Sequence, residues 1–197
     1  MTPPMRRSGR MDRQSLPEFR PVTTANWADF ETLFDGRGGP KACSCMVWRR
    51  GPDGKAAGAE KAARRAAMAG LVVQGTPVGI LGYLLGTPVA WCAIAPRATY
   101  GKGLAAVQAG DSGLNLWSLV CFFVATPYRN TGLFPALLAA AEAEAHRQGA
   151  DVIEAYPVAP DSPSYRFSGF VPNFEAAGYQ TVGREGTRRI VVRKPLR

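Results

Sequence analysis

Residues 116–124 read Leu-Trp-Ser-Leu-Val-Cys-Phe-Phe-Val, apolar at odd and even positions alike. A strand wetted on one face alternates apolar and polar side chains, so a run of this kind belongs inside a sheet covered on both sides. Turn formers follow at Thr126, Pro127, Asn130 and Gly132. Next comes an Ala- and Leu-rich stretch over 132–148 with helical spacing, and then a second apolar run over 151–157. Strand, helix and strand packed into 42 residues form a crossover unit, which joins parallel neighbours in a right-handed sense. The chain is therefore an α/β protein built around that unit.

The flanking segments supply the rest of a single domain. Thr24 caps a helix that carries Trp27, Phe30, Leu33 and Phe34 on one face and stops at Gly36. The stretch 38–48 reads as a loop leading into a short strand. Residues 58–69 are good helix formers with Gly70 as the stop. The apolar runs 79–85 and 89–95, joined by Gly86-Thr87-Pro88, predict an antiparallel hairpin. Residues 97–113 read as a connection with a short helix at 104–107. After the crossover come a polar loop, a short helix at 172–177 and a strand pair at 179–182 and 188–193. Residues 1–22 hold five arginines and four prolines without apolar periodicity, which predicts a mobile basic segment ahead of a domain spanning 23–197.

Composition excludes several function classes. No apolar run reaches the length of a membrane span, and residues 1–22 lack the apolar core of a secretory signal. Cys43, Cys45, Cys92 and Cys121 form no CxxC pair, and His146 is the only histidine. Neither a zinc site nor a disulfide framework is expected; the reading is free thiols in a cytoplasmic protein that uses no metal. The net charge of +9 raises a polyanion partner. However, residues 1–22 carry a net +3, residues 184–197 a net +5 and the remaining 161 residues only +1. The excess sits at the two ends, and nucleic acid is disfavoured as a partner.

Chemistry concentrates after the central strand, at Arg129-Asn130-Thr131-Gly132-Leu133-Phe134. Backbone N–H groups converging at a helix N-terminus beside an arginine make a receptor for phosphate oxygens. On its own a glycine there also serves turn geometry. The wider run from Cys121 to Leu138 resembles the acyl-CoA-binding motif of the GNAT superfamily of N-acyltransferases, with a strand ending in Val, a Pro and Tyr, and an [RQ]-x-x-G-x-[GA] turn opening a helix. The run Phe174-Glu175-Ala176-Ala177-Gly178-Tyr179 is similar to that family's later Tyr-Glu-x-x-Gly-Phe segment. The resemblance spans residues 23–192. It implies a mixed, mostly antiparallel sheet with a central parallel βαβ unit and helices on both faces, and acetyl-CoA as co-substrate. Phe122, Phe123 and Val124 would then lie along the pantetheine arm. Arg129, Asn130, Thr131, Gly132, Leu133, Phe134 and Pro135 would surround the pyrophosphate. Two departures stand out: Phe134 replaces a small residue, and Pro135 removes one N–H from the first helical turn.

The implied reaction moves an acetyl or other acyl group directly from the thioester to a primary amine of a small molecule or peptide. The attacking ammonium must lose a proton, and the departing thiolate must gain one. Glu154 on the second crossover strand is the candidate base, with a buried salt bridge as the competing reading. The family's tyrosine acid falls at Phe174, which has no proton to give, so Tyr156 and Tyr165 are the candidates for that role, with packing as the alternative for each. Cys121 and Ser118 read as core residues, and His146 as a solvent-facing partner of Glu142. Two other functions compete: a catalytically silent acyl-CoA-binding module, and a basic nucleic-acid-binding protein. A homodimer is compatible with the resemblance.

Overall fold

The structure, a computed structural model, describes residues 16–40, 43–101, 104 and 109–196. One sheet of seven strands runs in the order β1-β2-β3-β4-β5-β7-β6. The strands are β1 Glu18–Pro21, β2 Ile80–Leu84, β3 Thr87–Pro96, β4 Leu116–Val124, β5 Val152–Ala155, β6 Gln180–Glu185 and β7 Arg189–Pro195. Every neighbouring pair is antiparallel except β4 and β5. That one parallel pair is bridged by helix α3, Leu133–Arg147, so the crossover legible in the sequence is the centre of the sheet.

Helices α1, Trp27–Asp35, and α2, Lys61–Val73, supply buried residues to one core cluster. Helices α3 and α4, Val171–Ala176, supply another. Phe30 and Phe34 of α1 meet the Trp91 ring edge-on at 5.0 and 5.8 Å. Leu137, Ala141 and Ala145 of α3 are fully buried, one turn apart, on the opposite side. Covering on both faces is why β4 shows no polar alternation. The β2–β3 hairpin turns through Leu85 at φ +49° and Gly86 at φ +75°, the left-handed pair that matches the twist of adjoining strands.

Several boundaries differ from the sequence reading. Residues 18–21, expected in the mobile segment, form edge strand β1 paired with β2. Its closing proline needs no N–H at a sheet edge. The remainder of that segment up to residue 15 lies outside the described residues. Thr23 rather than Thr24 is the first cap, because a 3-10 turn over Thr24–Asn26 precedes α1. The Thr23 hydroxyl accepts from Ala25 N, and Asn26 Oδ1 accepts from Thr23 N at 2.8 Å. Gly70 does not stop α2. It lets the helix pass Pro52, whose Cγ would lie 2.5 Å from an added Cβ. No strand forms among the described residues of 38–48; the segment turns, and isolated bridges follow it from Arg49 to Tyr100 and from Arg50 to Ala56. The helix expected at 104–107 falls almost wholly outside the described residues, and Ala109–Asp111 form a 3-10 turn. No helix among the described residues is long and apolar enough to cross a membrane.

Candidate active site

The parallel pairing of β4 with β5 ends at Leu119 and Ala155, yet β4 continues to Val124. Beyond Ala155 the chain bends away: Pro157 O accepts from Ile190 N at 2.8 Å, and Val158 bridges Phe170 and Arg189. Pro157 has no N–H to offer β4, which favours the separation. The far edge of β4 is thus left facing a gap. Along one strand edge every second residue presents its N–H and C=O. The Val120 carbonyl accepts from Ser168 Oγ at 3.3 Å and the Val124 carbonyl from Arg129 Nε at 2.9 Å. Between them Phe122 presents both backbone groups to the gap, its carbonyl oxygen 3.9 Å from the Cys121 thiol.

The gap opens into a cleft of about 690 Å³. One wall is Phe122, Phe123 and Val124, continuing through Tyr128, Arg129 and Asn130 to Phe134. The facing wall is Arg166, Phe167, Gly169 and Phe170, with Asn173 below. Arg166 is fixed by the carbonyls of Pro160 at 2.7 Å and Ser162 at 3.2 Å, and its guanidinium stacks on Phe170 at 4.7 Å. Sequence reasoning assigned none of these residues to the cofactor. Their only signal was the basic and aromatic run 165–170, which has neither strand nor helix spacing.

The turn at the cleft's far end is built as the sequence suggested. Asn130 at φ +61° and Gly132 at φ +83° are both left-handed, and the Thr131 hydroxyl donates to the Tyr128 carbonyl at 2.7 Å. Gly132 caps α3 without any side-chain hydrogen bond. The first bond inside α3 runs from Ala136 N to Gly132 O at 3.5 Å. The N–H groups of Leu133 and Phe134 come before it and need partners from outside the helix. They carry the positive end of a 15-residue helix dipole, next to Arg129. The side chains divide differently from the motif-based expectation. Leu133 is buried under α3, Pro135 is exposed, and Phe134 folds back onto Phe122 with ring centroids 4.5 Å apart.

A second cavity, of about 250 Å³, shares Phe122, Phe123 and Phe167 with the cleft. Its other lining residues are Pro40, Cys43, Cys45, Val47, Trp48 and Cys121. Among the described residues that line it, none is acidic or basic.

Glu154 and Tyr156 line neither cavity. Glu154 is 1% exposed, and Arg193 donates to its Oε2 from Nε at 2.8 Å and Nη2 at 2.6 Å. Arg97 lies 3.7 Å from Oε1, which also accepts the Tyr156 hydroxyl. Arg193 bonds Asp111 as well, so the group is a buried network of alternating charge. Of the two readings open for Glu154, the geometry matches the salt bridge: both oxygens already accept, and neither faces a cavity. Burial and the neighbouring Glu154 charge push the Tyr156 phenol well above its usual range, so it keeps its proton. Ser118 Oγ sits 3.4 Å from that hydroxyl. Tyr165 is 36% exposed and packs near Trp48 and Phe167. Phe174 is fully buried, edge-on to Tyr179. His146 is exposed, but Glu142 pairs with Lys194 at 2.7 Å rather than with it.

Among the described residues no group of three or more His, Cys, Asp or Glu could hold a metal ion. No known family model and no curated protein matches the sequence. Solved structures do match in shape. A ribosomal-protein-alanine N-acetyltransferase from Brucella melitensis superposes with a TM-score of 0.57 at 17% identity, covering 91% of this chain and 99% of that one. The putative acetyltransferase yncA from Salmonella typhimurium, solved with acetyl-CoA, gives 0.55 at 13% identity over 92% and 94% of the two chains. Aminoglycoside acetyltransferase AAC(6')-Ib in complex with coenzyme A gives 0.56 at 15% identity over 91% and 95%. With a seven-stranded, mostly antiparallel sheet split beside its central strand, this chain has the fold of the GNAT N-acetyltransferases.

Proposed function

We propose that the chain is an acyl-CoA-dependent N-acyltransferase that binds acetyl-CoA in the β4 cleft and transfers its acetyl group to a primary amine. The observation that carries this reading is the continuity of the cleft. The open backbone of Phe122 leads directly to the uncapped N-terminus of α3 beside Arg129. An extended pantetheine arm pairs with such an edge like an added strand. A pyrophosphate suits the N–H groups of Gly132, Leu133 and Phe134 and the positive dipole end behind them. Arg129 and Arg166 add cations on both walls. Phe123 and Val124 line the arm, and Asn130 and Thr131 shape the turn.

The amine nitrogen attacks the thioester carbonyl carbon while both substrates are bound. The new N–C bond forms, the C–S bond breaks, and the proton lost by nitrogen ends on the coenzyme A sulfur. The open cleft lets water carry that proton, and the thiol's ordinary pKa, near ~8.5 for a cysteine-like thiol, makes it a competent leaving group. Glu154 and Tyr156 act from below as positioning residues that fix β5 where it parts from β4. The neighbours named for ribosomal-protein alanine support a peptide amine as acceptor, and the aromatic and aliphatic lining described for the 250 Å³ cavity suits an apolar group next to that amine.

One observation favours the silent-module reading: Phe174, at the family's tyrosine position, is buried and carries no proton. Thiol release from acetyl-CoA, followed across a panel of peptide and small-molecule amines, separates the two. Amine-dependent release with a matching acetylated product is expected. Saturable coenzyme A binding with no turnover on any amine would leave only the module.

A further inference from the structure

Three of the four cysteines meet at the 250 Å³ cavity, a grouping that acyl transfer does not explain. Cys43 and Cys45 come from the turn after α1, and Cys121 from β4. Cys45 is 4% exposed to bulk solvent but lines the cavity. It is presented by two successive left-handed residues, Ser44 at φ +42° and Cys45 itself at φ +56°. Non-glycine residues adopt that region at a cost, so the turn is held by its surroundings.

The surroundings act on the sulfur. Trp91 Nε1, which can only donate, lies 3.2 Å from Cys45 Sγ. Cys121 lines the same cavity from β4, its thiol directed at the Phe122 carbonyl 3.9 Å away and neighbouring Cys45. Behind them Arg49 is 3% exposed, with Nη2 bound to the Val78 carbonyl at 2.7 Å and the Tyr100 hydroxyl at 2.8 Å. Its Nε and Nη1 have no hydrogen-bond partner among the described residues. A buried guanidinium of this kind calls for a neighbouring anion. The neighbouring Cys121, the Trp91 N–H and this charge lower the Cys45 thiol, while Cys45 and burial raise Cys121, which stays protonated. Burial raises Cys43 and Cys92. The four thiols are thus unequal, and Cys45 and Cys121, lining one cavity from the turn and from β4, combine a nucleophile with a protonated neighbour.

We propose that Cys45 and Cys121 form an oxidisable pair that reacts with a small hydroperoxide entering the apolar cavity and closes to a disulfide. The Cys45 thiolate attacks the distal peroxide oxygen, an S–O bond forms and the O–O bond breaks. The sulfur is oxidised to a sulfenic acid, and the peroxide is reduced to an alcohol, or to water in the case of hydrogen peroxide, that takes a proton from solvent. Cys121 then attacks the Cys45 sulfur. The S–S bond forms, the S–O bond breaks, and the hydroxide leaves as water with the Cys121 proton. Two thiols and one hydroperoxide thus yield one disulfide, one alcohol and one water. Cys43 is one residue from Cys45, too close for a relaxed bridge, so Cys121 is the resolving partner.

Hydrogen peroxide is the probe. The full-length protein is oxidised in the folded state, its free thiols are alkylated, and its peptides are mapped by mass spectrometry. Expected are a fall from four titratable thiols to two and a reductant-sensitive Cys45–Cys121 link within one chain. In Cys121→Ser the reaction stops at the sulfenic acid, and dimedone labels Cys45. Trp91→Phe removes one donor and slows the loss of thiols several-fold. A bridge through Cys43, four thiols left intact, or dimedone labelling of Cys43 in place of Cys45 would each overturn the proposal. The wild-type map decides even if a variant fails to fold.

Discussion

Gly132 is the residue on which the cofactor reading turns, because its two properties can be separated by one substitution. Its φ of +83° is left-handed, and an added Cβ would meet nothing within 4 Å. Gly132→Asp therefore costs only about 1 kcal/mol of backbone strain, Asp being among the residues that tolerate this region. The carboxylate also lies favourably at the start of α3. The same charge opposes a pyrophosphate on the Leu133 and Phe134 N–H groups. Thermal unfolding should stay within a few degrees of wild type, while acetyl-CoA affinity falls by about a hundredfold or more, since like charges in close contact cost several kcal/mol. Calorimetric titration beside a melting curve checks both; unchanged affinity would remove the turn from the site. Phe134 and Phe174 show a different residue-scale effect. Positions that the family motif fills with a small residue and a tyrosine are here parts of one aromatic cluster, with ring centroids 6.3 Å apart.

At the scale of elements, the separation of β4 from β5 depends on the charged network beneath it. Glu154 pairs with Arg193 across to β7, and Arg193 ties in Asp111 ahead of β4. Glu154→Gln removes one of the two carboxylates that hold Arg193, with Asp111 still in place, and should lower stability by about 3 kcal/mol, the low end of the range for breaking a buried pair. If Glu154 only positions, acetyl-CoA turnover per folded molecule changes little and its pH profile keeps its shape. Loss of turnover with unchanged stability, measured by denaturant unfolding, would restore Glu154 as the base. A second contact joins α1 to β2. Tyr83 donates to Asp29 Oδ2 at 2.9 Å, and its phenol is pushed up to about 12, mainly by burial and then by Asp29. A raised phenol stabilises the fold fully below its unfolded value of ~10, and that contribution is lost as pH rises through about 12. The melting-temperature advantage of wild type over Tyr83→Phe should therefore shrink between those values. A constant gap would place the Tyr83 hydroxyl outside the stabilising contacts. The crossover was legible because local composition alone specifies a doubly covered strand and its helix. Strand β1 was not, since four mixed residues ending in proline become a strand only beside β2. Glu154 stood out as a charge in an apolar strand, but its partners Arg193 and Asp111 are themselves 82 positions apart, beyond any periodicity.

For the whole molecule, the net +9 ceases to describe a surface. Arg193 and Lys194, near the basic C-terminal end, are spent on Glu154, Asp111 and Glu142 inside the fold. Arg189 stacks against Trp48 at 4.6 Å. The C-terminal cations thus help assemble the sheet, while Arg129 and Arg166 are the cations placed at the cleft. A separate cavity of about 390 Å³ lies at the opposite end of the sheet, lined by residues of β1, the end of α2 and Glu144 and Arg147 of α3. It touches neither the open β4 edge nor the start of α3. Amide hydrogen exchange with and without acetyl-CoA distinguishes the two locations directly. The account predicts slowed exchange at Phe122 and across Gly132, Leu133 and Phe134, with the 390 Å³ cavity unchanged. Protection around Val72–Ile80 and Glu144–Gln148 instead, or no protection under saturating acetyl-CoA, would contradict it.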